Sequence, residues 1–316
     1  MFELIKLLET VYRTISADLE VWFQQFPEGL AWNVFSDYCI GDQNKPNDVF
    51  AFAIVLNHDT QANIEEYISA VAPSDIKGSR STSEGLIQYL GCPVVFSISY
   101  LVERKSKLLR DFMTDDNIIG ALVDLRAVVM EMQAMLPDQA QYYGEVDKRL
   151  AGFEKEMRRR SRNSNLARQI LLCAAFASVV CTHLAQKKKP KMVRWISDRD
   201  AIADRHDKVV FDLAFLYFHL HRMMSGQDAL EPSFLFGLPG WDGINQYAEF
   251  IRLPDYLAGT LADIKLPEMT FSHAKFEPVF HNLFVNGPNA ALVEILGREG
   301  GGVTARRLVP TAPVVQ

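Results

Sequence analysis

The spacing of hydrophobic and polar residues changes along the chain. Some stretches have the spacing of a helix, and others have the composition of strands. Residues 1–25 place apolar side chains every three or four positions, which predicts an amphipathic helix. Two stretches rich in aromatic and β-branched residues follow, at 31–40 and 48–57, and both have the composition of strands. The connection "GDQNKPN" contains Gly, Asn and Pro, so we expect these strands to form an antiparallel hairpin.

The pattern further along predicts an α/β domain that is interrupted by helices. Residues 60–73 have a helical period, 92–102 form a third predicted strand, and 105–190 are helical almost throughout. Two more strands are predicted at 191–197 and 232–239, and each is followed by a helix. The expected fold is therefore a mixed sheet flanked by helices, with a long helical insertion.

This order of elements divides the chain into four predicted parts. The tail is predicted to be flexible because it contains Gly and Pro and has no period. The parts are an N-terminal helix at 1–30, an α/β domain at 31–104 and 191–290, a helical insertion at 105–190 and a flexible tail at 291–316.

One apolar segment, 170–185, resembles a membrane span in composition. It is about four residues shorter than the roughly 20 that cross a bilayer, so we expect a buried core helix instead. The N-terminus carries acids throughout and lacks a basic start, which is typical of an amphipathic helix and not of a signal peptide. We therefore expect no membrane association.

Composition excludes several classes of protein. Hydrophobic residues make up 48% of the 316 residues, which is enough for a sizeable core. Four cysteines without a CxxC pair argue against a zinc knuckle or a disulfide framework and fit a cytoplasmic protein. No G-x-G-x-x-G follows the first strand, and no P-loop or G-x-S-x-G motif occurs, so a dinucleotide fold and serine-hydrolase chemistry are not expected.

Three aspartates stand at the ends of predicted elements. Asp37 ends the first strand, Asp198 ends the fourth strand, and Asp255 lies in a late helix. Phosphoryl-transfer sites bring carboxylates of this kind together, because Mg²⁺ and Mn²⁺ prefer oxygen ligands. Asp is also a common turn and helix-cap residue, so the residues alone leave both interpretations open.

The segments around these aspartates resemble a family of bacterial proteins. "VFSDYCIGD", "IKGSRSTSE", "WISDRD" and "IRLPDYLAG" follow, in order, the motifs of the domain-of-unknown-function family 3800, whose members have a ribonuclease-H-like fold. The resemblance covers about residues 31–102 and 191–265. The family's first motif is usually D-E-S-G, where this chain has "DYCIG", and its last motif has Ala where this chain has Pro254.

The resemblance implies a ribonuclease-H-like mixed sheet and a divalent-metal-dependent phosphodiesterase, a nuclease acting on DNA or RNA with Mg²⁺ or Mn²⁺. The alternative is a non-catalytic module of the same fold that binds nucleic acid or a partner protein, and the missing acid after Asp37 favours it. A homo-oligomer or a protein partner could form through the helical insertion. The implied metal ligands are Asp37, Asp198, Asp200, Asp255 and Glu84, of which Asp37, Asp198 and Asp255 would be catalytic.

Two basic clusters are candidates for contact with nucleic acid. The chain has 33 Lys and Arg against 39 Asp and Glu, a net charge of −6, so a nucleic-acid role needs a local basic patch. The clusters lie on either side of the apolar 170–185 segment, and a solvated helix face is the alternative interpretation. They are Arg158, Arg159, Arg160 and Arg162 before it, and Lys187, Lys188 and Lys189 after it.

Overall fold

A seven-stranded mixed sheet with helices on both faces forms the centre of the computed structural model, which describes residues 2–27, 31–103, 108–227, 232–240, 246–298 and 302–311. The strands are β1 Ala31–Cys39, β2 Asn47–Leu56, β3 Val95–Glu103, β4 Met192–Ser197, β5 Ser233–Gly237, β6 Ala290–Arg298 and β7 Gly302–Leu308. The helices are α1 Phe2–Phe23, α2 Gln61–Val71, α3 Glu84–Leu90, α4 Leu108–Phe112, α5 Asp115–Met135, α6 Ala140–Met157, α7 Ser164–Lys188, α8 Ala201–Asp204, α9 Val209–Met224, α10 Arg252–Asp263 and α11 Phe276–Phe280. The expected α/β class is confirmed.

The strands are ordered β5-β4-β1-β2-β3-β6-β7 across the sheet. β1 pairs antiparallel with β2, as the turn chemistry predicted, and parallel with β4. β2 pairs antiparallel with β3, while β3 is parallel to β6 and β4 is parallel to β5. β7 returns antiparallel along β6. The parallel pair β1–β4 brings the carboxyl ends of two strands to the same edge of the sheet.

Both faces of the central strands are buried. Along β1, Trp32 and Val34 belong to one core cluster, whereas Phe35 and Cys39 belong to the other. The first cluster includes residues of α1, α5, α6, α7 and α9, and we call this side of the sheet the α7 face. The second includes residues of α2, α3, α10 and α11, and we call it the α10 face. Burial on both sides explains why β1 and β2 are apolar without strict alternation.

Helix α7 is the apolar segment that the sequence predicted to be a core helix. It has 25 residues, and Asn163 caps its start by accepting a hydrogen bond from the Leu166 backbone N–H at 3.1 Å. Of the described helices, α7 alone is long and apolar enough to span a bilayer, and 83% of its most apolar stretch is buried inside the protein. This burial is what the core of a folded domain requires.

The predicted flexible tail is wrong for residues 291–298 and 302–308, because they belong to β6 and β7. β6 pairs in parallel with β3, so the apolar run that begins at Ala290 is buried by the sheet. Glu294 interrupts this run, and its carboxylate accepts a hydrogen bond from Arg306 on β7 at 2.6 Å. A charged residue in the middle of a short strand hid the strand period. Residues 104–107, 299–301 and 312–316 lie outside the described ranges.

Candidate functional site

The ends of β1 and β4 place two of the three predicted aspartates side by side. Asp37 lies on β1 with Phe35 and Cys39 on the α10 face, because side chains of a strand alternate in direction. Asp198 follows the last residue of β4, and its backbone N–H donates to the Ser36 carbonyl at 2.8 Å. That bond extends the parallel pairing by one residue and fixes Asp198 at the end of β1.

Helix α10 supplies the third aspartate. It packs against β1 and β2 on the α10 face, and Asp255 lies in its first turn. A carboxylate is favoured there by the helix dipole, and Pro254 is tolerated because the first turn has no intrahelical partner for its missing N–H. The structure therefore brings together Asp37, Asp198 and Asp255, which are widely separated along the chain.

Asp37 and Asp255 form a buried pair of like charges. Their exposed fractions are 8% and 6%, and each carboxylate accepts one backbone N–H, from Tyr38 at 2.7 Å and from Ile76 at 2.9 Å respectively. The two carboxyls are also within hydrogen-bond reach of each other. Such a pair retains one proton more readily than free carboxyls do.

The electrostatics of this pair favour the binding of a cation. Burial, and then the negative charges of Asp255 and Asp198, raise the pKa of Asp37 well above its usual value. Burial also raises the pKa of Asp255, with Asp75 as a further negative neighbour. Only the part of this rise that comes from neighbouring negative charge also acts on other cations, since the larger part, from burial, reflects the cost of ionising the carboxyl.

A loop at residues 75–79 closes over the pair. The Ile76 backbone N–H donates to Asp255, and the Ile76 side chain lies where a Cβ on Gly259 would come within 2.7 Å of it. Gly259 thus permits the close approach of this loop to α10. On the other side, Lys275 Nζ donates to the carbonyl oxygens of Ile76 at 2.6 Å and Ser79 at 2.8 Å. The loop is held by both contacts.

The loop carries Lys77 towards the acids. Desolvation lowers the pKa of Lys77, but the Cys39 thiol and the Asp37, Asp255 and Asp42 carboxyls outweigh it, so the net pKa is raised. The positive charge of Lys77 in turn counteracts the pKa rise of both buried aspartates. Lys77 is thus part of the same electrostatic cluster.

A polar network on the α7 face locks the two strand ends together. The Tyr38 hydroxyl lies 2.6 Å from Ser36 Oγ and 2.9 Å from Ser197 Oγ. Trp195 Nε1 donates to Ser36 Oγ at 2.9 Å. Because Tyr38 and Ser197 directly follow and precede the two acids, this network positions Asp37 relative to Asp198.

The other two predicted ligands, Asp200 and Glu84, are not part of the buried acid pair. Asp200 caps α8, with Oδ1 accepting the N–H groups of Ile202 and Ala203 at 2.9 Å each, so the structure favours the cap interpretation. Burial raises the pKa of Asp200 to about 6, and Asp198 contributes to this rise. Glu84 is the exposed first residue of α3.

Of the lysine cluster, Lys187 and Lys189 are exposed and Lys188 is not. Lys188 is buried, and its amine donates to the Phe26 carbonyl. Lys187 pairs with Glu20 at 3.1 Å. Because β4 begins shortly after Lys189, the cluster lies at the start of β4, whereas Asp198 follows its end. These lysines therefore connect α1 and its following segment to α7, away from the acids.

The arginine cluster lies at the opposite end of α7. Cys173 of α7 contacts the Tyr38 hydroxyl near the end of β1, and the helix starts about 14 Å before Cys173 at 1.5 Å per residue. The cluster therefore lies towards the edge of the sheet that carries the acids. Arg158 pairs with Glu154 at 2.7 Å and Arg162 with Asp115 at 2.6 Å, while Arg159 and Arg160 are exposed.

Sequence reasoning missed Asp75 and underrated Lys77. Both lie in "SDIKGS", a polar stretch that pattern analysis assigns to a loop. Asp75 is close enough to Asp255 to raise its pKa, and Lys77 is close enough to lower it. The usable signal was a pair of opposite charges around an apolar residue, Ile76, which is fully buried.

The donor set fits Mg²⁺ or Mn²⁺ in its chemistry. In the described ranges, no group of three or more His, Cys, Asp or Glu side chains is arranged to hold one metal ion. Mg²⁺ needs fewer, since it is commonly bound through one or two carboxylates, with water and substrate phosphate supplying the other ligands. Asp37 and Asp255 meet that requirement, and Asp198 is half-buried and close enough to Asp37 to raise its pKa.

Comparisons with protein-family models, curated proteins and solved structures give no match for this chain. Any functional argument therefore depends on the geometry of the site and on the chemistry of its residues.

Proposed function

We propose that the protein is a divalent-metal-dependent phosphodiesterase that cleaves DNA or RNA and has a ribonuclease-H-like domain. The observation that carries this proposal is the convergence of Asp37, Asp198 and Asp255 from β1, β4 and α10. Three acids that meet from distant parts of a chain, two of them buried beside each other, are a costly arrangement for stability alone. Perturbed carboxyls of this kind are typical of functional sites.

The strand order supports the ribonuclease-H-like part of the proposal. Five neighbouring strands follow the order β3-β2-β1-β4-β5, and among them only β2 runs opposite to the rest. The resemblance to family 3800 implies a mixed sheet, with acids at the ends of the first and fourth strands and on a later helix, and a mixed sheet with acids at these places is what supports the proposal. β6 and β7 would be additions beyond β3.

Each residue of the site has a role under this proposal. Asp37 and Asp255 would hold Mg²⁺ or Mn²⁺, and Asp198 would add its negative charge beside Asp37. The ion would act as a Lewis acid that stabilises negative charge on the phosphoryl oxygens. The N–H groups of Tyr38 and Ile76 would orient the two buried carboxylates.

The cap-and-turn interpretation explains Asp37 and Asp255 poorly. Asp37 lies within β1, and Asp255 accepts its backbone hydrogen bond from the 75–79 loop. The structure also bears on the position after Asp37, where the family usually has an acid and this chain has Tyr38. Tyr38 points to the α7 face, so an acid there would point away from Asp255. Its absence therefore does not remove a ligand from this site, which weakens the non-catalytic alternative.

A cleavage assay tests the proposal. Purified protein with Mn²⁺ or Mg²⁺ is incubated with labelled single- and double-stranded DNA and RNA, alongside Asp37→Asn and Asp255→Asn. We expect cleavage by the wild type and at least a ~100-fold loss in either variant, since even outer-shell changes at metal sites cost 10–100-fold. Circular dichroism checks that both variants keep the fold.

The matched control is Asp138→Asn, an exposed acid of the α5–α6 connection, which should cleave like the wild type. A wild type that cleaves none of these substrates with either ion, or Asp37→Asn and Asp255→Asn variants as active as the control, would contradict the proposal.

A further inference from the structure

Lys77 has a defined position because the loop that carries it is anchored on both sides. Its neighbour Ile76 donates a backbone N–H to Asp255 at 2.9 Å, and Gly259 leaves room for the Ile76 side chain against α10. Lys275 binds two carbonyl oxygens of the same loop, at 2.6 Å and 2.8 Å. The backbone at Lys77 therefore cannot move away from Asp255 without breaking these bonds.

The Lys77 side chain remains exposed while its backbone is held. A Lys amine is a compact charge on a flexible stem with three donor hydrogens, so it can point to the acids or away from them without any backbone change. The amine interacts electrostatically with Asp37, Asp255 and Asp42. Within the described ranges, no hydrogen bond joins a Lys or Arg side chain to the carboxyl of Asp37 or Asp255. Lys77 is thus an exposed cation on a long side chain, beside a buried pair of acids whose negative charge it offsets.

Building on the proposed function, we propose that Lys77 is a resident counter-cation of the acid pair. Its amine neutralises Asp37 and Asp255 when no divalent ion is bound, and it turns to a phosphate of the nucleic acid when an ion takes that place. The same charge that stabilises the ion-free site thereby competes with the ion. The phosphate contact involves the backbone of the substrate and carries no base preference.

This role predicts effects of opposite sign on ion binding and on cleavage. Removal of the amine removes a competing positive charge, so Mn²⁺ binds more tightly. It also removes a phosphate contact, so nucleic acid binds more weakly. A lysine that only supports the loop would not tighten Mn²⁺ binding when it is removed, because a disordered loop would release the N–H group that orients Asp255.

Mn²⁺ titration without nucleic acid is the first test, with free Mn²⁺ counted by electron paramagnetic resonance. Lys77→Met keeps the length of the stem and removes the charge, whereas Lys77→Arg keeps the charge. We expect Lys77→Met to bind Mn²⁺ at least ~5-fold more tightly than the wild type. This is the fold-change that corresponds to the repulsion between two unit charges about 4 Å apart in water. Lys77→Arg should bind within about 2-fold of the wild type. Arg80→Met, an exposed cation of the same segment, is the matched control and should have no effect.

Cleavage and binding of a short oligonucleotide are the second test. Lys77→Met should show a raised KM and weaker oligonucleotide binding in Ca²⁺, while its Mn²⁺ affinity is higher. If the wild type binds Mn²⁺ and Lys77→Met binds it no more tightly, the role of Lys77 is wrong and the phosphodiesterase proposal stands. If Lys77→Met binds Mn²⁺ more tightly but the wild type cleaves nothing, the phosphodiesterase proposal is wrong. A wild type that binds no Mn²⁺ overturns both.

Discussion

The two ends of helix α10 each hold a buried aspartate, and their surroundings are opposite. At the C-terminal end, Asp263 pairs with Lys45 at 2.6 Å and accepts both the backbone N–H and the hydroxyl of Ser272, at 2.7 Å and 2.6 Å. At the N-terminal end, Asp255 accepts one backbone N–H and faces another acid, Asp37. The carboxylate of Asp263 is fully paired and hydrogen-bonded, whereas the carboxylate of Asp255 has excess negative charge around it.

The pKa values of the two carboxyls follow this difference. Burial raises the pKa of Asp263, but hydrogen bonds from Lys45 and Ser272 outweigh it, so the net pKa is lowered. Burial raises the pKa of Asp255, and its backbone bond does not compensate. A satisfied buried charge connects parts of a fold, whereas an unsatisfied one retains affinity for a cation. We infer that the C-terminal end of α10 is structural and the N-terminal end is functional.

Removal of the satisfied charge should have the largest effect. Asp263→Ala removes a buried carboxylate that pairs with Lys45 and accepts two hydrogen bonds from Ser272, and we expect the free energy of unfolding to fall by about 3–5 kcal/mol. Urea denaturation followed by circular dichroism measures this. Ser272→Ala, which removes one hydroxyl bond to the same carboxylate, should cost only about 1 kcal/mol. Similar losses of stability in the two variants would show that the buried charge of Asp263 does not connect these parts of the fold.

Loosening the support of the acid end should weaken ion binding more than stability. Tyr38→Phe removes the hydroxyl that lies between Ser36 and Ser197, so Asp37 and Asp198 are held less firmly. We expect Mn²⁺ affinity to fall about 10-fold, as for outer-shell changes at metal sites, and stability to fall by about 1 kcal/mol. Mn²⁺ titration and denaturation of the same sample separate the two effects. An unchanged affinity would mean that the network does not position the acids.

Neutralising the charge of Asp255 should change the free energy of unfolding in the opposite direction from Asp263→Ala. Asp255→Asn keeps an oxygen acceptor for the Ile76 N–H and removes the repulsion with Asp37. We expect the free energy of unfolding at pH 8 without metal to rise by roughly 1 kcal/mol, the usual size of a single-site effect. The added stabilisation by Mn²⁺ should be lost in the same variant. A destabilised Asp255→Asn would place Asp255 in the same class as Asp263.

The smallest expected effect is a difference between the two ends of α10 in how their aspartates make stability depend on pH. The raised pKa values of Asp37 and Asp255 mean that the folded state holds their protons more tightly. Their contribution is fully present below the ordinary Asp pKa and is lost as pH rises through the folded values. Asp263 has a lowered pKa, so its contribution is present above the ordinary value and is lost as pH falls through the folded one.

Unfolding measured from pH 3 to pH 8 in Asp255→Asn, relative to the wild type, tests this contrast. The variant should gain stability relative to the wild type as pH rises. Asp200, whose pKa is about 6, is present in both proteins, so its contribution cancels in the difference. A difference that does not depend on pH would mean that the acid pair does not titrate as inferred.

Much of the fold followed from local pattern. The five predicted strands correspond to β1–β5, because runs of aromatic and β-branched residues with turn residues between them are a local signal. β6 was missed because Glu294 breaks its apolar run, and Glu294 accepts a hydrogen bond from Arg306 across the hairpin. Similarly, Lys188 looked like part of a basic surface, and only the position of Phe26 shows that its amine is buried. Contacts with distant partners decided both cases.

The sequence by itself determined the element types, the α/β class and the choice of Asp37, Asp198 and Asp255 as candidates, since each depends on neighbours along the chain. Only the tertiary structure decided that these acids meet, that Asp200 is a cap and that Lys77 lies beside them. The physical reason is that charge interactions depend on distance and burial in space. The meeting point is created by a parallel strand pair, a helix crossing it and a glycine that lets a loop approach, and none of these contacts is local in the chain.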